Sequence, residues 1–82
     1  MSKDLGKQIV VIDNGFVHVG DCVVEDGLLL ISNASNIRVW GTTRGVGQLV
    51  SGPTPQTKAD PLGTVCVPFG RVVFFLSVTG GW

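Results

Sequence analysis

The chain has little of the chemistry that enzymes use. It contains no tyrosine, one histidine and two cysteines, and charged residues make up only 15% of its 82 residues. General acid–base catalysis needs a group whose pKa lies near the working pH, and His18 is the one natural candidate. His18 stands between two valines, where we expect it to be exposed or to contact another subunit. No serine occupies a Gly-x-Ser-x-Gly turn. We therefore expect no enzyme, no cofactor and no metal site.

The chain also lacks an excess of charge and a long apolar run. Its formal net charge is zero, which argues against general nucleic-acid binding, because such binding depends on neutralising phosphates. The longest apolar runs, "GLLLI" and "VVFFL", are too short to cross a bilayer as helices. The polar start "MSKDLGK" does not resemble a signal peptide. We expect an intracellular protein that does not bind membranes.

Few covalent stabilisers are available to so short a chain. Cys22 and Cys66 each lie in an apolar run, as small buried residues do, and a disulfide between them is the alternative. A zinc site would have to recruit carboxylates, since His18 is the only histidine. Small domains bury a limited share of their surface, so self-association becomes the favoured source of further burial. The sequence thus predicts a homo-oligomer.

What the chain does have is a succession of strand patterns. Asn14-Gly15 and Asp26-Gly27 are strong hairpin signals, because both pairs tolerate the positive φ angles of tight turns. Gly20-Asp21 and the run "SNAS" interrupt the apolar stretches between them. These patterns predict an all-β fold, a small antiparallel barrel or sandwich of about six to seven short strands. We expect one domain over residues 1–82, with a flexible segment at 1–7.

One segment is too polar for a core and too varied for a linker. At most one short helical turn is expected in it, near residues 45–51, where Val46, Leu49 and Val50 share a face at helical spacing. That face would pin the segment to the core. The following stretch "GPTPQTKADPLG" is stiffened by three prolines and closed by Gly63, so we expect a long but ordered loop.

The polar side chains at the start of this segment predict a recognition surface over residues 38–48. Trp40 offers a flat ring, and Arg38 and Arg44 offer planar guanidinium groups suited to phosphate or carboxylate. The other predicted contacts are hydrogen-bonding residues and the glycines that shape the loop: Thr42, Thr43 and Gln48 with Gly41, Gly45 and Gly47. A small ligand and a protein partner both fit these residues. The alternative is structural, with Trp40 filling the core and Arg38 paired with a carboxylate.

Known phosphate-binding loops do not match this segment. In "GQLVSGPT" the glycine spacing is that of a P-loop, but Pro53 stands where the lysine belongs. The dinucleotide fingerprint fails as well, because Val50 replaces its last glycine.

Residues 36–68 resemble a group of small uncharacterised proteins of tailed phages and prophages. The shared pattern is Ile-Arg-x-Trp-Gly-Thr-Thr, then Gly-x-Gly, then Gly-Pro-Thr, then Asp-Pro-x-Gly-Thr-Val, and residues 8–32 are also similar. The ending "SVTGGW" departs from that group, which leaves Trp82 as either an added contact or a loose tail.

The resemblance implies a phage accessory protein that acts in the host cytoplasm by binding. It would sequester a nucleotide-like ligand or mask a host protein through the 38–48 loop. The alternative is a small virion protein, a capsid or tail decoration that assembles through its apolar strands.

Overall fold

A computed structural model describes residues 2–82, and within that range five strands form one antiparallel sheet. The strands are β1 (Ser2–Ile12), β2 (Val17–Glu25), β3 (Leu28–Val39), β4 (Lys58–Pro68) and β5 (Val72–Ser77). Their order across the sheet is β4-β3-β2-β1-β5. The predicted all-β antiparallel character is confirmed. The sheet is not closed into a barrel, because β4 and β5 lie at its two ends.

The strands are fewer and longer than the sequence predicts, because two expected breaks are irregularities within strands. Gly20 lies inside β2 at a shift in register against β3. A Cβ there would come within 2.6 Å of the Ile31 side chain, so only glycine fits. Opposite it, Asn33 has a positive φ of 52° inside β3 and donates a hydrogen bond to Asp21 at 3.2 Å. The sheet therefore bends at these bulges without ending the strands.

Two segments predicted to be irregular are parts of strands. Residues 2–7, part of the segment expected to be flexible, belong to β1 and pair with residues 21–25 of β2. Residue 1 lies outside the described residues. Residues 58–63, predicted as the end of a loop, pair with β3 as the first half of β4. Both segments bury few apolar side chains, because a strand at an edge or at a chain terminus has few neighbours to bury them against. Their composition therefore does not distinguish them from loops.

Both hairpins predicted from short turn signals are present. At the first, Gly15 N–H donates to the Ile12 carbonyl at 2.9 Å, and Asn14 Oδ1 accepts from Phe16 N–H at 3.1 Å. At the second, Asp26 and Gly27 have φ angles of 51° and 79°. Positive φ at both central residues matches the twist of the flanking strands.

Apolar side chains pack in two clusters. The first, which we call the strand core, draws only on strand residues: Val10, Cys22, Leu29, Ile31, Ala34 and Val67, with Leu5, Ile12, Val24, Val65 and Val72 beside them. The second, which we call the loop core, joins strand residues to the β3–β4 loop and the C-terminal tail: Ile9, Val17, Val19, Ile37 and Leu49, with Val11, Val46, Val50, Leu76, Val78 and Trp82.

The two cysteines are free thiols on neighbouring strands. Cys22 is buried opposite Ile31, whereas Cys66 is exposed opposite Leu30. Because successive strand residues point to opposite faces, the two thiols lie on different faces of the sheet. Burial, chiefly through desolvation, raises the pKa of the Cys22 thiol to about 11. The disulfide alternative is therefore not what the structure contains.

Candidate functional site

The loop between β3 and β4 is anchored by a short helix, as the sequence predicts. A 3-10 helix, η1, spans Val46–Ser51. Leu49 points into the loop core and is fully buried, and Val46 and Val50 pack beside it. Burying these side chains orders the middle of a loop that is otherwise polar.

The first half of the loop is closed by one side chain. Gln48 Oε1 accepts hydrogen bonds from Thr43 N–H at 3.1 Å and Arg44 N–H at 3.0 Å, and lies 3.3 Å from the Thr43 hydroxyl. These bonds turn the Gln48 amide oxygen inward, so it holds the loop instead of facing a ligand. The backbone that carries Arg44 is thereby fixed in place.

The second half of the loop clamps the end of β3. Thr57 Oγ1 donates to the Trp40 carbonyl and Thr54 Oγ1 to the Gly41 carbonyl, both at 2.6 Å. Gly41 has a φ of 65°, and a Cβ there would meet the Gln56 and Thr57 backbone at 2.5–2.7 Å. The threonines and Gly41 of this segment therefore hold its two halves together. Part of its polar composition serves the fold.

The C-terminal tail completes the loop's support, which the sequence left undecided. Thr79 N–H donates to the Val50 carbonyl at 2.7 Å, and Trp82 Nε1 to the Leu49 carbonyl at 2.7 Å. A Cβ on Gly81 would lie 2.5 Å from Gly52 Cα, so the two backbones touch. Trp82 is thus an added contact of the loop core. Two glycines before an aromatic residue were the available signal for such close packing.

The structure separates the predicted site residues into two groups. Arg38 pairs with Asp60 at 2.9 Å, as the structural alternative expects. Trp40 does not fill the core, since 39% of its surface is exposed. Exposure is shared by Thr43, Arg44 and Gly47, while Gly41, Thr42, Gly45 and Gln48 are half-buried. No carboxylate within residues 2–82 forms an ion pair with Arg44.

His18 is not the exposed residue that the sequence predicts. It is 5% exposed, and its Nδ1 has no hydrogen-bond partner among residues 2–82. Burial lowers the pKa of His18 by desolvation. The alternation of β2 suggested exposure, but the two apolar clusters cover both faces of this strand. The Phe16 ring lies edge-on to His18, with 6.4 Å between the ring centroids.

A cavity of about 90 Å³ lies away from the loop residues, lined by Lys7, Val19, Gly20, Asn33, Ser35 and Trp82. Lys7 Nζ donates to the Trp82 carbonyl oxygen at 3.2 Å at this cavity. None of residues 38–48 lines it. The predicted recognition residues therefore lie outside this cavity.

Comparisons with protein families, with curated proteins and with solved structures find no match to this chain. Over residues 2–82, no helix has the length and apolar character needed to cross a membrane.

Proposed function

We propose that this chain is a binding protein without chemistry of its own, which presents Trp40 and Arg44 to an anionic partner. One observation carries the proposal: hydrogen bonds fix the backbone at Arg44 while its side chain keeps no ion-pair partner within residues 2–82. A loop already held in one conformation loses less entropy on binding. Tryptophan and arginine are also the side chains that most often dominate binding energy at interfaces.

An acidic protein surface suits these residues better than an isolated small molecule. Pockets for small ligands enclose most of the ligand's surface. Trp40, Thr43 and Arg44 are instead exposed, and the cavity described above lies elsewhere. A nucleotide-like ligand would need a second wall, which another copy of the chain would have to provide. Masking a protein is therefore the form of binding we favour.

The phage resemblance supplies the setting of this proposal. A chain of that group would work in the host cytoplasm, where it would mask a host protein and so act on the host or its defences. The second candidate function is a virion component that assembles through apolar strands, and it is favoured by the exposed apolar residues of β5. The predicted barrel or sandwich architecture goes beyond the five-stranded sheet of residues 2–82, which is not closed, and stays a prediction.

The proposal is tested by comparing two exposed arginines. Arg44→Ala removes the loop guanidinium that has no ion-pair partner within residues 2–82, whereas Arg71→Ala removes one that already pairs with Asp13. Immobilised wild-type protein, incubated with host lysate, should retain a partner whose affinity falls about 30-fold or more with Arg44→Ala, as for an interface hot spot. Arg71→Ala should retain it unchanged.

Two results would contradict this function. Equal retention by both variants would remove Arg44 from the site. Native mass spectrometry with ATP and GTP as added ligands provides the second readout. Binding of either nucleotide that Arg44→Ala abolishes would replace protein masking by nucleotide sequestration.

A further inference from the structure

From the exposed edge of β5 we infer that a second copy of this chain pairs with it, joining two sheets antiparallel across a two-fold axis. The inference is independent of the 38–48 loop. Along β5, Val73, Phe74 and Phe75 are 61%, 42% and 38% exposed, although the strand is wholly apolar up to Ser77. An edge strand of this kind leaves a row of backbone groups open to another strand.

Apolar surface lies on both faces of this edge. Phe75 stands opposite Val10, on the strand-core face, and Phe74 stands opposite Val11, on the loop-core face. Phe69 adds a third ring, 6.3 Å from Phe75 between centroids. A strand added here would cover side chains above and below the sheet at once.

The other edge of the sheet does not accept such a strand. β4 carries Pro61 and Pro68, which have no N–H to donate, and Lys58 and Asp60 near its start. Proline and charge are the usual means by which an edge avoids pairing. Since β5 cannot continue onto β4 of the next copy, open-ended growth is blocked. The remaining arrangement is a closed two-fold dimer in which the β5 strands of the two copies pair with each other.

The hydrogen bonds between β5 and β1 determine which backbone N–H and C=O groups of β5 point to the open edge of the sheet. Val78 N–H donates inward to the Lys7 carbonyl at 3.1 Å. Backbone groups alternate in direction along an antiparallel strand, so those of Phe75 and Ser77 point to the open side. A two-fold axis at Phe75 places Phe75 opposite its own copy and Val73 opposite Ser77 of that copy.

Charge and area agree with a reversible dimer. No charged residue lies within β5, and Arg71, just before it, already pairs with Asp13. With the axis at Phe75, the two Arg71 side chains lie roughly 25 Å apart, because eight residues of strand separate them. The exposed parts of the three phenylalanines and Val73 amount to roughly 300 Å² on each copy. Two copies together bury roughly 600 Å² of side-chain surface, and even with the strand backbones the area stays at or below the roughly 1,200 Å² of standard interfaces, as a weak, reversible dimer requires.

Sedimentation velocity tests the pairing at protein concentrations from about 1 to 100 µM, where an interface of this size should show dissociation. The wild type should be dimeric at the upper end. Val73→Lys should be monomeric with an unchanged circular dichroism spectrum, and Leu62→Lys, a lysine substitution of another exposed apolar residue, on β4, should stay dimeric. A wild-type monomer at the highest concentration overturns the inference and leaves the edge to a strand of another protein. Loss of the dimer with Leu62→Lys alone also overturns it.

Cross-linking tests the register and does not depend on a disruptive variant. In a Cys66→Ser background, Phe75→Cys is oxidised with copper phenanthroline. Hydrogen-bonded residues in an antiparallel pair have Cα atoms about 5.5 Å apart, which suits a disulfide. Ser77→Cys places the thiols roughly 13 Å apart and should not cross-link. A covalent dimer with Phe75→Cys alone supports the pairing. Cross-linking through Ser77→Cys, or through neither, overturns it.

Discussion

The two cores of this protein are closed by different means. Strand residues alone build the strand core, from all five strands of residues 2–82. The loop core covers strand residues with helix η1 and with the tail residues Val78 and Trp82. Interactions that join strands are cooperative across the sheet, whereas a loop and a tail can detach locally. Global stability should therefore depend mainly on the strand core, and the shape of the candidate site on the loop core.

The largest expected effect comes from truncating one buried side chain in each core. Ile31 and Leu49 are both fully buried. Ile31→Ala should lower the free energy of unfolding by about 2–5 kcal/mol, the usual cost of such a cavity. Leu49→Ala should cost less in urea unfolding, because η1 can release without breaking the sheet. Hydrogen exchange should show protection lost in residues 40–51 only.

The comparison between the cores fails if the two variants behave alike. Equal loss of unfolding free energy, with uniform loss of amide protection, would mean that loop and sheet unfold as one unit. The loop core would then be as essential to the fold as the strand core.

A smaller effect is expected where the tail touches the loop. Gly81 has a φ of 87°, and a Cβ there would lie 2.5 Å from the Ser51 carbonyl oxygen. Gly81→Ala should displace the tail at a cost of about 1–3 kcal/mol, typical of a forced positive φ with a clash. Gly80→Ala is the matched control, since a Cβ at Gly80 meets nothing within 4 Å.

Fluorescence follows this change directly. With Trp40→Phe in the background, Trp82 is the one remaining tryptophan. Its emission should shift to longer wavelength with Gly81→Ala, as the ring leaves the loop core, and should not shift with Gly80→Ala. Equal spectra for both variants would mean that the Gly52–Gly81 contact does not hold the tail.

Features that depend on neighbouring residues, such as tight turns and a short helix, could be predicted from the sequence. Asn14-Gly15 and Asp26-Gly27 gave both hairpins, and the spacing of Val46, Leu49 and Val50 gave the helix and its anchoring face. Gly20 interrupts the apolar pattern of the sequence yet lies at a bulge inside β2, because glycine suits a strand break and a bulge alike and only the close approach of Ile31 across the strands distinguishes them. Such long-range contacts are not encoded in a short window.

In the candidate site, too, the sequence predicted what composition shows and missed what long-range contacts determine. Composition singled out Trp40 and Arg44, and the structure leaves both exposed. Pairing of Arg38 with a carboxylate was one alternative, but composition did not reveal that the carboxylate is Asp60 or that Gln48 turns inward, since both depend on how β4 and the loop return to β3. The docking of Trp82 was open for the same reason.

The smallest expected effect concerns His18, which lies on the strand-core face between Val10 of β1 and Asn36 of β3. On the far side of Asn36, the cross-strand neighbour on β4 is Asp60, which pairs with Arg38. On the far side of Val10, the neighbour on β5 is the uncharged Phe75. No unpaired carboxylate among these residues favours a charged imidazole. Burial accordingly lowers the pKa of His18 below its ordinary value of 6.5.

The sign of the resulting pH dependence follows from proton uptake. Below pH 6.5 the unfolded chain binds a proton at His18, whereas the folded chain resists it. The stability that comes from keeping His18 neutral is therefore fully present above pH 6.5. It declines as the pH falls towards the lowered pKa of His18 in the folded protein. Thermal unfolding of wild type and His18→Leu between pH 7.5 and about 5 isolates this contribution, because carboxylates titrate in both. The melting temperature of the wild type should fall more steeply than that of His18→Leu. If the melting temperatures of the two proteins fall in parallel with pH, the folded protein accepts a proton on His18 as readily as the unfolded chain does. The ring would then have a partner or solvent access in the folded state.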